Sequence, residues 1–356
     1  MSKAYPCLDI DLKKLAHNTR EIIKLCNENG VEPVIVTKVF CANETIVKTI
    51  VNEGINTVGD SRIKNLMKLK QINCKKLLVR IPMKSEADSV VQYADISLNS
   101  ELEVIKELSH CALNHNKLHE IILMIDLGDL REGVLPQDVL DTVKEIIKLP
   151  NIKLIGLGTN LTCYGGVIPE ENNLTELVNL KNKIEEEFNI KLPIVSGGNS
   201  SSFYMVVNRT IPKGVNQLRI GEALVLGRET AFEQELNNLY NDSIILKGEI
   251  IELKEKPSLP KGRIGVDAFG NKPSFQDKGL MQRAIIALGK QDILLEGLTP
   301  LDSKIEILGA SSDHLLLDLT KCGKEYKVGD IVEFHMNYGC LLAAMTSNYV
   351  NLEFKI

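Results

Sequence analysis

Apolar and polar positions along the first two thirds of the chain switch repeatedly between a two-residue and a three-to-four-residue period. The run Pro33-Val34-Ile35-Val36-Thr37-Lys38-Val39-Phe40 is short, apolar and β-branched, bounded by Gly30 before it and Asn43 after it, which predicts a strand buried on both faces of a parallel sheet. Leu12, Leu15, Thr19, Ile22, Ile23 and Cys26 recur at helical spacing, with Asp11 placed to cap the start and Gly30 to end it. The same reading puts strands near 34–37, 56–59, 76–80, 95–98, 120–126, 152–158, 192–195 and 216–220. Helical patterns near 43–53, 62–70, 85–92, 100–109, 136–148, 170–188 and 200–208 separate them. Eight such units favour a closed (β/α)8 TIM-type barrel over an open doubly wound sheet. No Gly-rich phosphate loop follows the first strand, which weighs further against a dinucleotide fold.

After about residue 235 helical periodicity nearly vanishes. Strands are predicted at Ser243–Glu255, Gln282–Leu288, Lys304–Leu308, His314–Leu319, Ile331–Met336 and Tyr349–Phe354, with one more at 5–11 near the start. The expected fold class is therefore α/β, a barrel over 11–232 followed by a β-rich C-terminal domain made of 1–10 and 233–356. The Pro- and Gly-rich stretch 256–280 reads as a long excursion or a functional loop.

Composition narrows the function classes. With 42 basic against 47 acidic residues the net charge is −5, and no basic cluster is interleaved with aromatics, so nucleic acid is not expected as a partner. No window approaches the ~18 apolar residues of a membrane span. The opening MSKAYPCLDIDL lacks the apolar core of a secretory signal, and the expected location is cytoplasmic. The 8 cysteines include no CxxC pair and no zinc-like spacing, so they read as reduced thiols and no metal is expected. Histidines 17, 110, 115 and 119 fall on charged helical faces and read as solvated.

Lys38 stands where the first barrel strand ends, and in parallel barrels chemistry is done at that end. A desolvated lysine loses its proton more readily, and the neutral amine can attack a carbonyl to form a Schiff base; the plain alternative is a lysine reaching into water. Gly197-Gly198-Asn199-Ser200 and Gly221-Glu222 each place a turn at a late strand end before a helical pattern. Such turns offer backbone N–H donors to a phosphate. Taken singly, the first is more readily a plain Gly-Asn turn and the second a helix cap.

Taken together, these stretches resemble the alanine racemase family of pyridoxal-phosphate enzymes over nearly the whole chain. Lys38 in VTKVF resembles its Schiff-base lysine, Arg131 in IDLGDLREG its arginine near the cofactor's phenolic oxygen, and Asn199-Ser200 in SGGNSSSF its phosphate-binding pair. Arg219, Gly221 and Glu222 in QLRIGEALVLG resemble its RxG stretch, while VGDIVEF (328–334), Asp313 and Tyr349 resemble positions in its β domain. The resemblance implies pyridoxal 5'-phosphate as cofactor. It also implies that Arg219 is a cation at the ring nitrogen, which suits brief proton removal and return at Cα.

The departures are specific. Met124 stands where many relatives have a carbamylated lysine supporting the arginine, so Arg131 must be held otherwise, and Asn160 replaces a histidine under the ring. Ser311 and Ser312 replace a bulkier pair that narrows the alanine pocket. The chain looks closest to the ornithine racemase branch of the family, whose members have this shortened β domain and a VTKVF-type motif. A small basic amino acid is the expected substrate, with Arg131, Ser312 and Asp313 at its site and Asp267, Asp292 and Asp313 offered to its δ-ammonium. The family's second-base tyrosine has no counterpart in GVDAFG, and Asp267 is the candidate in its place, its pKa raised by burial; equally, it caps a turn. A homodimer with each β domain covering the partner's barrel mouth is expected, because that mouth must exclude water to protect a carbanion. Alternative readings are an alanine or broad-specificity racemase, a non-catalytic pyridoxal-phosphate homeostasis protein, and a lyase like D-threonine aldolase or D-serine dehydratase with His335 and Cys340 on a metal.

Overall fold

The computed structural model describes residues 4–356. It divides into a barrel unit, Lys13–Asn241, and a β unit made of the chain up to Leu12 together with Asp242–Ile356. Residues 1–3 of the expected 1–10 segment lie outside the described residues. Strand β1 (Cys7–Asp11) belongs to the β unit.

The barrel closes eight parallel strands in sequence order: β2 (Glu32–Val36), β3 (Thr57–Asp60), β4 (Lys75–Leu78), β5 (Ile96–Asn99), β6 (His119–Met124), β7 (Ile152–Gly158), β8 (Ile194–Ser196) and β9 (Gln217–Ile220). Closure comes from β2 pairing with β9, Ile35 opposite Ile220, as well as with β3. The β-branched runs form strands here because both faces are covered. Val34, Leu77, Ile96, Leu98, Ile122, Met124 and Ile155 fill the interior, and a larger cluster built on Ile121, Leu123 and Leu157 packs under the surrounding helices. Met124 is fully buried in that interior.

Helix Leu12–Glu28 buries Leu15, Asn18, Thr19, Ile22 and Cys26. Asn18, unread in the periodicity, explains the unit boundary. Its side chain donates to the carbonyls of Leu224 and Tyr240, both at 2.9 Å, and accepts from Tyr240 N at 2.8 Å. Those bonds tie the segment after 232 to the barrel, so the division falls at 241/242 rather than 232/233. His119 also departs from expectation. It opens β6, is 2% exposed and bonds Ser97 Oγ at 2.8 Å, and burial pushes its pKa down to about 4.

The β unit is a mostly antiparallel sheet of β12 (Leu298–Pro300), β15 (Ile331–Met336), β10 (Ile244–Pro257), β11 (Leu280–Ile286), β14 (Leu315–Asp318) and β13 (Glu306–Ala310), in that order. Strand β1 joins β10, and β16 (Asn351–Lys355) pairs with β1. Helix Tyr338–Thr346 is the element the periodicity hid. Its sequence YGCLLAAMT is apolar nearly all round, so no stripe marks it as a helix. The excursion between β10 and β11 carries exposed Ile264, Val266, Phe269 and Phe275. Among the described residues no helix is long and apolar enough to cross a membrane.

Candidate active site

At the end of β2 the chain turns at Thr37 into one 3-10 turn, Lys38–Phe40, so Lys38 is the second residue past the strand and is half-buried. Thr37 Oγ1 donates to the buried carboxylate of Asp60 at the end of β3, at 2.7 Å. That carboxylate also accepts from Arg62 N at 2.8 Å and Asn65 Nδ2 at 3.1 Å, and burial raises its pKa. The turn that presents Lys38 is thereby fixed from the neighbouring strand.

On the other side of β2 lies the start of the helix Glu222–Leu226. A Cβ on Gly221 would come within 3.4 Å of Val36 Cβ, so the chain after β9 lies close against the end of β2. Ser200, 4% exposed, takes Gly221 N at 3.2 Å and Ala223 N at 3.4 Å on its Oγ. Those amides, at a strand end and a helix start, are donors an anion would compete for. Glu222 is held by Arg228 at 2.9–3.0 Å, and burial raises its pKa while the charges of Arg228 and Lys38 lower it. Lys38 is thus within electrostatic reach of Glu222.

Asn199 caps the 3-10 turn Ser200–Ser202 through Ser201 N at 2.8 Å and donates to Leu161 O and Cys163 Sγ, both at 3.2 Å. Arg219 is 3% exposed within β9. Its guanidinium donates to Ser196 Oγ, to Thr159 O at 2.5 Å and to Asn160 Oδ1 at 2.8 Å, all neutral oxygens. Burial pushes its pKa down to about 10, with the Glu132 charge opposing. Arg131, on the loop after β6, is engaged by the carboxylate of Glu132. Asp129, 1% exposed, gathers Cys163 N, Tyr164 N and Val167 N at 2.9–3.3 Å, joining that loop to the one after β7.

The barrel end therefore brings together Lys38, Arg131, Asn160, Asn199, Ser200, Arg219, Gly221 and Glu222 of the sequence candidates. An amine, a backbone-donor cradle and a buried cation fit an aldehyde carrying a phosphate and an aromatic ring. The donor set could take the phosphate, Lys38 the carbonyl carbon and Arg219 the ring nitrogen. Glu132, Asp60, Asp129 and Ser196 were not read from the sequence. Each is a common polar residue beside an apolar run, without a spacing signal of its own.

Asp267, Ser312, Asp313 and Tyr349 belong to the β unit. Asp267 needs correction in its environment. It is exposed, its Oδ1 accepts from Phe269 N at 2.9 Å and Asn271 N at 2.8 Å, and the Asn271 backbone bond leads in lowering its pKa. The expected raised pKa is absent because the carboxylate is neither buried nor short of donors. Asp292 is 3% exposed and takes Ser347 Oγ at 2.7 Å, so it is an internal anchor rather than a partner offered to a ligand. Asp313 accepts from His314 Nδ1 at 2.9 Å and Ser312 Oγ at 3.2 Å in the exposed β13–β14 connection. Tyr349 is 67% exposed. Cys340 is buried, and burial pushes its thiol up to about 12.

The chain matches the alanine racemase N-terminal domain model over residues 10–229 and a putative serine dehydratase domain model over residues 273–352. It is 51% identical to ornithine racemase of Acetoanaerobium sticklandii over 350 residues, 98% of this chain and 99% of that one. It is 42% identical to lysine racemase of Thermotoga maritima over 353 residues, 99% of each. The crystal structure of alanine racemase from Bartonella henselae with covalently bound pyridoxal phosphate shares the fold, with a TM-score of 0.75 at 16% identity over 99% of this chain and 100% of that one. The N-terminal match covers more than half of the chain, and the chain belongs to the alanine racemase N-terminal domain family.

Proposed function

We propose that the protein is a pyridoxal-phosphate-dependent amino-acid racemase that interconverts L- and D-ornithine. The observation that carries this reading is full-length identity at 51% to an ornithine racemase, followed by 42% to a lysine racemase. Both names denote substrates with a terminal ammonium. When bound, pyridoxal phosphate supplies an electron sink that makes the α-proton of an amino acid acidic. Lys38 would hold the cofactor's carbonyl carbon, and its amine would take or return the proton at Cα on its own face. The Gly221 and Ala223 amides with Ser200 and Asn199 would hold the phosphate. Arg219, cationic and bonded to neutral oxygens, disfavours a proton on the ring nitrogen.

Racemisation needs a second group opposite Lys38. Asp267, as the turn holds it, is a weak base, and a group elsewhere in the assembled enzyme does that work. The enzyme acts as a homodimer, because a barrel mouth handling a carbanion must exclude water. A charge-assisted contact to the terminal ammonium of the substrate contributes about 1.5–3 kcal/mol of selectivity. Chiral chromatography of loaded enzyme with L-ornithine, L-lysine and L-alanine tests the reading: D-ornithine forms fastest and D-alanine slowest. Equal turnover of alanine and ornithine would refute the substrate assignment.

A further inference from the structure

We propose that Glu132 is a positioning residue of this site, one carboxylate that sets the Arg131 guanidinium and the Asn160 amide together, and through Asn160 the Arg219 guanidinium. The catalytic consequence rests on the racemase reading above; the contacts rest on geometry alone. Glu132 Oε2 takes Arg131 Nε, while Oε1 takes a terminal nitrogen of Arg131 at 2.6 Å and Asn160 Nδ2 at 2.7 Å. Asn160 Oδ1 in turn takes Arg219 at 2.8 Å. The Glu132 side chain is 15% exposed.

A two-point fork fixes the plane of the Arg131 guanidinium as well as its position. The direction of the chain of bonds is also fixed. A carboxylate only accepts and an arginine only donates, so Asn160 must turn its amino group to Glu132 and its oxygen to Arg219. A neutral amide at 132 would present either atom and leave that orientation undetermined. The negative charge also lies between two like charges. Arg131 pushes the Arg219 value down and Glu132 pushes it up.

Neighbouring residues on an extended chain point to opposite sides, yet Arg131 and Glu132 meet. Their flanks explain it. Leu130 sits at φ 55 and Gly133 at φ 143, both left-handed, and a Cβ on Gly133 would lie 2.2 Å from Asp126 N. The loop is thus bent on either side of the pair, and position 133 accepts only glycine. Sequence reasoning left Arg131 without a support, because Met124 is apolar and packed in the barrel core; Glu132 supplies one from the adjacent residue.

The contact is read first, in 15N-labelled protein without added cofactor and with Arg131 Nε assigned through Arg131→Lys. Glu132→Gln speeds solvent exchange of the Arg131 Nε proton about tenfold, while the exposed Arg20 changes by less than about twofold. Equal exchange in parent and variant overturns the proposal, whatever the protein racemises. Catalysis is read second, in pyridoxal-phosphate-loaded enzyme: Glu132→Gln lowers kcat about tenfold with KM for ornithine held within about threefold, and Glu132→Asp recovers part of the loss. A Glu132→Gln kcat within about twofold of the parent also overturns it. A parent that racemises no amino acid removes the proposed function, and the exchange measurement then decides Glu132 by itself. Should Glu132→Gln fail to fold, Glu132→Ser in the same exchange measurement gives the same two outcomes.

Discussion

Thr37 donates its hydroxyl to Asp60 at 2.7 Å, one residue before Lys38, so the carboxylate that ends one barrel strand holds the turn that ends its neighbour. Thr37 and Asp60 are both fully buried. Thr37→Val keeps the shape and removes the donor, leaving a buried carboxylate with one bond fewer. The expected cost is about 1–3 kcal/mol. Urea unfolding of the parent and variant measures it, and a cofactor titration of the folded variant shows weaker pyridoxal-phosphate binding. Unchanged stability and unchanged binding together would mean the bond does not set the lysine turn.

Lys38→Ala removes the only amine placed by that turn. The variant folds, binds pyridoxal phosphate without the visible band of a lysine-bound cofactor, and gives no cofactor-labelled peptide after borohydride reduction. In the parent, the labelled peptide contains Lys38. A variant that keeps the band and the label would assign the cofactor to another lysine.

Asp267→Asn separates the turn role from a catalytic one. Asparagine retains the oxygen that Phe269 N and Asn271 N use, so the variant loses less than about 1 kcal/mol and racemises within about threefold of the parent. Loss of racemisation by about a hundredfold with cofactor binding intact would instead restore Asp267 as the second base.

The eight barrel strands were legible because burial on both faces leaves near-continuous apolar runs, which few other elements share. Arg219 was legible for the same reason, as a charge inside such a run. Glu132 was not, since an acidic residue between Arg131 and Gly133 looks like any solvated loop position until the backbone bends show that the two side chains meet. Helix Tyr338–Thr346 lacks a polar face to reveal its period, and β12 is three residues long, too short for alternation to register. The exposure of Asp267 was not legible, because proximity in sequence to the family's tyrosine position carries no information about burial.

His119 makes stability depend on acid. Its folded pKa is pushed down by burial to about 4 from the ordinary 6.5, so between those values the unfolded chain takes a proton that the folded one refuses. Stability therefore falls as pH drops from about 6.5 to about 4, by up to about 3 kcal/mol from this group. Asparagine can keep a bond to Ser97 without titrating. Denaturation of the parent and His119→Asn at pH 7 and pH 4.5 should show a smaller acid loss in the variant; equal losses would mean His119 is protonated in the folded protein.

The central claim is that this site moves one proton at Cα and breaks no other bond. L-Ornithine is incubated in heavy water with the pyridoxal-phosphate-loaded enzyme, and optical rotation, total amino acid and deuterium content are followed together. The account predicts that rotation decays to zero while total ornithine stays constant and Cα becomes deuterated in both enantiomers. Rotation that persists, or that falls only as ornithine is consumed with release of ammonia or an aldehyde, would contradict it.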